Sequence, residues 1–233
     1  MRIFAISDLH LDTTNSKPMN IFGECWEGHT EQILSDFKKY NITFDDVLIC
    51  AGDLSWGMKM EDAKNDLEFF NKLPTNIIVV KGNHDYWWQS LSQVRANMPE
   101  NMHAIQNDAI KFGHFVFFGT RGWLLPTAGK KFSEQNQKIY DREVIRLKLS
   151  YDAAKAIAED GDELICVMHY PPFNAKKEDN EFLKFFRENN IKTVVFGHLH
   201  GYFRGLDVKT TIDGTDFYLT SCDFLKNKMV QIK

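Results

Sequence analysis

Four short segments each end an apolar run in side chains that bind metals: Ile6-Ser7-Asp8-Leu9-His10, Ala51-Gly52-Asp53, Gly82-Asn83-His84-Asp85 and Gly197-His198-Leu199-His200. A fifth, partial match is Met168-His169-Tyr170-Pro171-Pro172. Carboxylate and imidazole donors suit Mn, Fe, Co, Ni or Zn, and the lack of thiolates among them argues against a structural zinc finger. In Asp8-Leu9-His10 and His198-Leu199-His200, alternate residues of an extended segment face the same way, so each pair can serve one ion or two neighbours. Gly52, Gly82 and Gly197 each precede a donor, where glycine permits a sharp turn and close backbone approach. Taken together, the set can hold two divalent cations and support metal-assisted hydrolysis.

Elements must bring these distant residues together. Short apolar runs at Ile3–Ile6, Val47–Cys50, Ile77–Val80, Phe115–Phe118, Leu164–Met168 and Val194–Phe196 have the length and β-branched content of buried strands. The spacing of Ala63, Leu67 and Phe70 predicts a helix stopped by Pro74. Tyr140, Val144, Leu147, Tyr151, Ala154 and Ala158 form one stripe of a long helix over about Ser133 to Asp160, with Gly161 as its C-cap. Asp179 is placed as the cap of a shorter helix carrying Phe182 and Phe186. The alternation of strands and helices predicts an α/β protein. After Gly201, short strand-like pieces separated by Asp213-Gly214 and Lys226-Asn227 predict a final antiparallel stretch closing a second sheet. Without repeats or a Pro/Gly-rich linker, residues 1–233 read as a single domain. In such folds ligands bind beyond the carboxyl ends of strands, so the candidate donors should converge on one rim.

In order and completeness these segments resemble the calcineurin-like metallophosphoesterase superfamily, whose pattern is D-x-H, G-D, G-N-H-D or G-N-H-E, H, and G-H-x-H. The resemblance implies a two-sheet α/β sandwich of mixed sheets with flanking helices. It also implies one metal bound by Asp8, His10, Asp53 and His200, and a second bound by Asp53, Asn83, His169 and His198. Asp53 would bridge the two, His84 would be a catalytic residue, and Asp85 would orient the His84 ring. Two such ions ~3.5–4 Å apart can clamp a phosphoryl group and lower the pKa of a shared water, giving a hydroxide that attacks phosphorus in line. A protonated His84 could stabilise the developing charge or protonate the leaving group.

Composition sets the remaining bounds. A 43% hydrophobic, 26% charged chain is ordinary for a globular protein, and a net charge of −4 gives no general pull toward nucleic acid or anionic membrane. The absence of a long apolar run predicts no membrane span. Met1-Arg2-Ile3-Phe4 leads straight into a strand, so no signal peptide is expected, and Cys50 and Cys166 read as free buried thiols. A cytoplasmic protein follows as the expectation.

The stretch Gly119–Gly129 reads as a long surface loop. Within it Arg121 could pair with a phosphate oxygen, and Trp123, like Trp26, could stack an exposed ring on an aryl group or base. One ring of Tyr86-Trp87-Trp88 could face the substrate while another packs a helix. His29, His103 and His114 match no motif and read as surface or turn residues. Protein serine/threonine phosphatases extend the second motif to G-D-x-x-D-R-G. Here Gly52-Asp53 is followed by Leu54-Ser55-Trp56-Gly57, without that arginine, which argues against phosphoprotein substrates. A small phosphate ester is expected, with phosphodiesters slightly favoured over phosphomonoesters. The rival readings are a scaffold that has lost its chemistry, although no ligand is missing, and a metallo-β-lactamase-type hydrolase, whose H-x-H-x-D-H cluster is absent.

Overall fold

The computed structural model describes residues 1–14, 17–127, 132–201 and 207–233. Among the described residues, eleven strands form two sheets. In the first, β1 (Ile3–Ala5), β2 (Val47–Cys50), β3 (Asn76–Val79) and β4 (Met102–Ala104) run parallel. A short β11 (Val230–Gln231) pairs antiparallel with β1, giving the order β11-β1-β2-β3-β4.

The second sheet has the order β5-β6-β7-β8-β10-β9. Its parallel centre is β6 (Phe115–Thr120), β7 (Glu163–Met168), β8 (Thr193–Phe196) and β10 (Thr215–Leu219). The edge strands β5 (Ala109–Phe112) and β9 (Lys209–Ile212) are antiparallel. Asp213-Gly214 makes the turn between β9 and β10, as expected. The stretch beyond Lys226-Asn227 instead joins the first sheet through β11, so the C-terminal segment closes both sheets and not the second alone.

The central strands, such as Ile3–Ala5, Val47–Cys50 and Phe115–Phe118, are apolar because both their faces are buried. Ile3 and Ala5 point into a layer between the sheets with Phe115, Phe117, Ile165 and Val167, while Phe4 points the other way. That outer face of the first sheet packs against α1 (His29–Lys39), α2 (Met60–Leu67) and α3 (Leu91–Asn97) through Ile33, Phe37, Leu67 and Val94. On the far side, Val116, Phe118 and Cys166 meet α4 (Glu134–Ile157) and α5 (Glu181–Glu188) through Tyr140, Leu147, Phe182 and Phe186. The result is a helix–sheet–sheet–helix sandwich.

Several local expectations need correction. Ser133 caps α4, its side chain accepting the Asn136 N–H, and the helix ends at Ile157. Gly161 is therefore not its C-cap; it sits in the following turn, where the Asp162 N–H reaches the Glu159 carbonyl. Asn180, not Asp179, caps α5, because its side-chain oxygen accepts the N–H groups of Phe182 and Leu183. Phe70 lies in a 3-10 turn, Glu68–Lys72, that follows α2. Gly119 and Thr120 belong to β6, so the predicted loop starts later, and its residues 128 and 129 lie outside the described set.

Candidate metal centre

The strand ends place the motif residues as the sequence suggests. Oxygen or nitrogen atoms of Asp8, His10, Asp53 and His200 lie within 4.8 Å of one another, and so do those of Asp53, His169 and His198. Asp53 belongs to both groups. Asn83 joins the second: its side-chain oxygen is 2.7 Å from His169 Nε2. Thus Asp8, His10, Asp53 and Asn83 arrive from the first sheet, and His169, His198 and His200 from the second.

The chain turns abruptly to present them. Asp8 (φ 58°), His10 (45°), Asp53 (51°) and His198 (72°) all occupy the left-handed region, which costs a non-glycine residue of order 1–3 kcal/mol. Of the eleven non-glycine residues with positive φ among the described residues, these four are all candidate donors. Close approach is equally specific. A Cβ on Gly82 would fall 2.1 Å from Asp53 Oδ1, and one on Gly197 would fall 2.2 Å from Asp8 Oδ2.

Hydrogen bonds then fix the ring tautomers. His169 Nδ1 is 2.9 Å from the Ala51 carbonyl and must donate to it, leaving Nε2 as a lone-pair donor facing Asn83 and, at 3.5 Å, Asp53. His200 Nδ1 donates to Asp223 at 3.1 Å, leaving its Nε2 3.1 Å from His10 Nε2. His198 Nδ1 lies 3.3 Å from His169 Nε2. The Asp8 carboxylate accepts the His198 N–H and the Ser221 hydroxyl.

This donor set fits divalent cations on its own electrostatics. Asp53 Oδ2 and His10 Nδ1 are buried and have no hydrogen-bond partner among the described residues. Burial, and then the charge of Asp53, raises Asp8 well above the ordinary carboxylate range, and burial pushes Asp53 up to about 6. Burial pulls His169 and His198 down to about 3 and His10 well below its usual value. His200 goes the other way: burial lowers it, but the bond to Asp223 and the nearby Asp8 together hold it above normal. Two crowded carboxylates beside three imidazoles biased to the neutral form, their lone pairs converging, lack what a cation supplies.

The calcineurin-like phosphoesterase family model matches residues 1–202. The chain belongs to this family. It is a metal-dependent phosphoesterase, and its Asp/His groups are suited to hold the ions. Two solved structures superpose over nearly its whole length. One is a protein of unknown function from Aquifex aeolicus, 15% identical, with a TM-score of 0.50, covering 99% of this chain and 95% of that one. The other is the calcineurin-like phosphoesterase YfkN from Bacillus subtilis, 15% identical, with a TM-score of 0.53, covering 96% and 82%. At that identity the likeness speaks to the fold alone. No curated protein matches the chain.

Around the donors of this phosphoesterase, some expectations change. The Asp85 carboxylate does not reach the His84 ring. It accepts the backbone N–H groups of Gly82, Asp53, Leu54 and Ser55 and the indole N–H of Trp87, and so clamps the second and third motif loops together. Burial and the charge of Asp53 push it up to about 7, against the pull of those donors. The His84 backbone N–H donates to Asp53 Oδ1, and its ring packs 4.6 Å from Trp56. His84 Nδ1 is buried without a partner among the described residues.

Trp26 is not an exposed ring. It is only 4% accessible and packs between His10, His29 and His200, with one edge lining a cavity. His29 is half-buried at the start of α1, its ring nitrogens within 3.0 Å of the carbonyls of Trp26 and Leu9. The Arg121 guanidinium lies 4.7 Å from the Trp123 ring and 3.8 Å from Glu143, and its carbonyl accepts the His169 N–H. Trp123 lies near Tyr170, whose ring is 4.2 Å from that of His198. Of the aromatic triplet, Trp87 and Trp88 are buried and Tyr86 is exposed.

Two supporting segments escaped sequence reasoning. Ser221-Cys222-Asp223, after β10, braces the site: Ser221 bonds Asp8, the Cys222 thiol donates to the Asp8 carbonyl, and Asp223 holds His200. The signal was available, because an apolar run ending in an acid is the same theme as the other motifs. Trp56, stacked on His10 at 4.6 Å, carried no comparable signal.

Proposed function

We propose that the chain hydrolyses a small phosphate ester at a two-metal centre, with phosphodiesters preferred over phosphomonoesters. One ion would be held by Asp8, His10, Asp53 and His200, the other by Asp53, Asn83, His169 and His198, with Asp53 common to both groups. Mn, Fe, Zn, Co and Ni all suit these donors. When bound, the ions supply Lewis-acid polarisation of the phosphoryl group and a water of lowered pKa. The protein's own contribution begins with orientation: Ala51 and Asp223 fix two imidazole tautomers, and the Asp85 clamp holds the loops bearing Asp53 and Asn83. His84, beside the donors but outside both groups, protonates the leaving oxygen.

The observation that carries the diester preference is a pair of clefts flanking the donors. On one side a cavity of about 500 Å3 is lined by Met19, Phe22, Trp26, Trp56, His84 and His200. On the other, a cavity of about 360 Å3 is lined by Trp123, Leu124, Tyr170, Phe173 and His198. A phosphodiester carries two organic arms, and each cleft suits one; a monoester fills only one. The cytoplasmic and single-domain readings stand as parts of the same proposal, supported by four free cysteines and by an apolar layer shared between the two sheets.

Rates on aryl phosphodiesters and aryl phosphomonoesters with added manganese test the preference. The diester is expected to have the higher kcat/KM, and a monoester preference of about tenfold or more reverses the assignment. His84→Ala is expected to lower turnover by roughly 10²–10⁴-fold with metal content unchanged. Loss of metal in that variant would make His84 a ligand.

A further inference from the structure

Beside the metal centre lies a second, strongly basic cavity of about 270 Å3, lined by Lys81, Arg121, Arg142 and Arg146 around one carboxylate, Glu143. Four cations and one anion give a formal local charge of +3, in a chain whose net charge is −4. Glu143 is fully buried and already satisfied. It accepts the Thr120 hydroxyl at 2.6 Å and the Arg146 guanidinium at 2.9 Å. Arg142 and Arg121 approach the same carboxylate only to 3.6 and 3.8 Å, beyond hydrogen-bond range. Arg121 Nε is buried with no partner among the described residues. Lys81 Nζ donates to the Trp88 carbonyl.

One arginine suffices to pair a buried glutamate. Gathering three arginines and a lysine around it adds like-charge repulsion, although Arg142 stays half exposed and only Arg121 is largely withdrawn from solvent. What such a cluster offers is several N–H donors converging on a small space. Guanidinium groups in that arrangement bind oxyanions in forked, charge-assisted pairs. At about 270 Å3 the cavity has room for a tetrahedral oxyanion. It also shares walls with the metal centre. Lys81 precedes Gly82-Asn83, and the Arg121 carbonyl accepts the N–H groups of His169 and Tyr170.

We propose that this cavity is a metal-independent binding site for a tetrahedral oxyanion of the phosphate class. The anion is either a second phosphate carried by the substrate or free phosphate. Sulfate, titrated into the intact protein and followed by NMR at the Arg121 Nε–H and the Trp88 indole N–H, probes the site without turnover. Both resonances are expected to shift at millimolar sulfate and not in sodium chloride of equal ionic strength. Arg142→Gln should weaken the sulfate affinity by about tenfold, and Arg142→Lys, which keeps the charge, by less. Shifts matched by sodium chloride, absent with sulfate, or unaltered in Arg142→Gln overturn the site.

A second arm identifies the source of the anion and rests on the phosphoesterase reading. Thymidine 5′-(4-nitrophenyl phosphate) is compared with and without a 3′-phosphate. If the anion is substrate-borne, Arg142→Gln raises KM for the two-phosphate ester at least ~10-fold more than for the other. If it is free phosphate, the two KM values change alike while sulfate affinity still falls. Failure to cleave either ester counts against the phosphoesterase reading and leaves the sulfate titration to decide the cavity.

Discussion

Asp223 shows how far a single buried carboxylate outside the motifs can matter. It holds His200 Nδ1 and also accepts the Gly201 N–H, so the ring presents Nε2 to the site. Removing such a partner of a ligand histidine commonly costs 10–100-fold in metal affinity. Asp223→Ala is expected to weaken binding at the His200-containing group by that factor, measured by competition with a chromophoric chelator. Full affinity in the variant would mean that packing alone orients the ring. The titrating groups make a second prediction at this scale. In the metal-free protein Asp53 keeps its proton up to about pH 6, whereas His169 and His198, lowered to about 3, are already neutral above that value. A cation needs the carboxylate ionised, so affinity should fall as pH drops below about 6, roughly tenfold per unit for each proton displaced. Calorimetry at pH 5 in buffers of different ionisation heat should report protons released, from the Asp8 and Asp53 carboxylates and from the His200 imidazole, which is held above its usual value. Identical heats across buffers would contradict the assignment of Asp53 as a ligand.

Among the elements, the strand ends are the working parts, and glycine sets how closely they meet. Gly197 lies after β8 with its Cα over Asp8, and an added methyl would sit 2.2 Å from the carboxylate and 3.2 Å from Ser7 Cβ. Backbone cannot yield there without moving β1 or β8. Gly197→Ala is therefore expected to destabilise the protein by about 1–3 kcal/mol and to displace Asp8, lowering metal content as well as Tm. A variant of unchanged Tm and metal content would show that the Asp8 side chain rotates away freely. The six strands that carry or flank motifs were legible because each is an unbroken apolar run buried on both faces. β4 and β5 were not, because Met102–Ala104 is short and the Ala109–Phe112 edge is only half-buried, leaving a weak pattern. The helix boundaries failed for a different reason. Asp179 and Asn180 are equally good caps by residue type, and only the geometry selects Asn180, while Asp179 pairs with Arg187.

Across the whole molecule, the candidate centre is the seam between the two sheets. The metal-binding motifs were readable because each is local, a few residues at one strand end. The surroundings of Arg121 were not legible, because its direction depends on Glu143 of α4 and on the Trp123 ring, contacts that no local pattern encodes. The role of Asp85 was misread for the same reason, since its partners lie some thirty residues away at Asp53, Leu54 and Ser55. The seam itself has a thermodynamic consequence. Asp8, His10, Asp53 and Asn83 come from one sheet and His169, His198 and His200 from the other, so cations held between them cross-link the halves. Without cations, Asp8 and Asp53 meet in a buried space, where the charge of Asp53 adds to burial in raising the cost of ionising Asp8. Ions that bind only the folded chain stabilise it by RT ln(1 + [L]/Kd), about 2.7 kcal/mol at a hundredfold excess over Kd. For a chain of 150–250 residues that is a Tm increase of roughly 5–10 °C. Calorimetric scans of manganese-loaded and chelator-treated protein at pH 7.5 should show this difference, and Asp53→Ala, which removes the shared carboxylate, should abolish most of it. A metal-dependent increase that persists in Asp53→Ala would place the stabilising ions elsewhere and leave the two halves joined by their apolar layer alone.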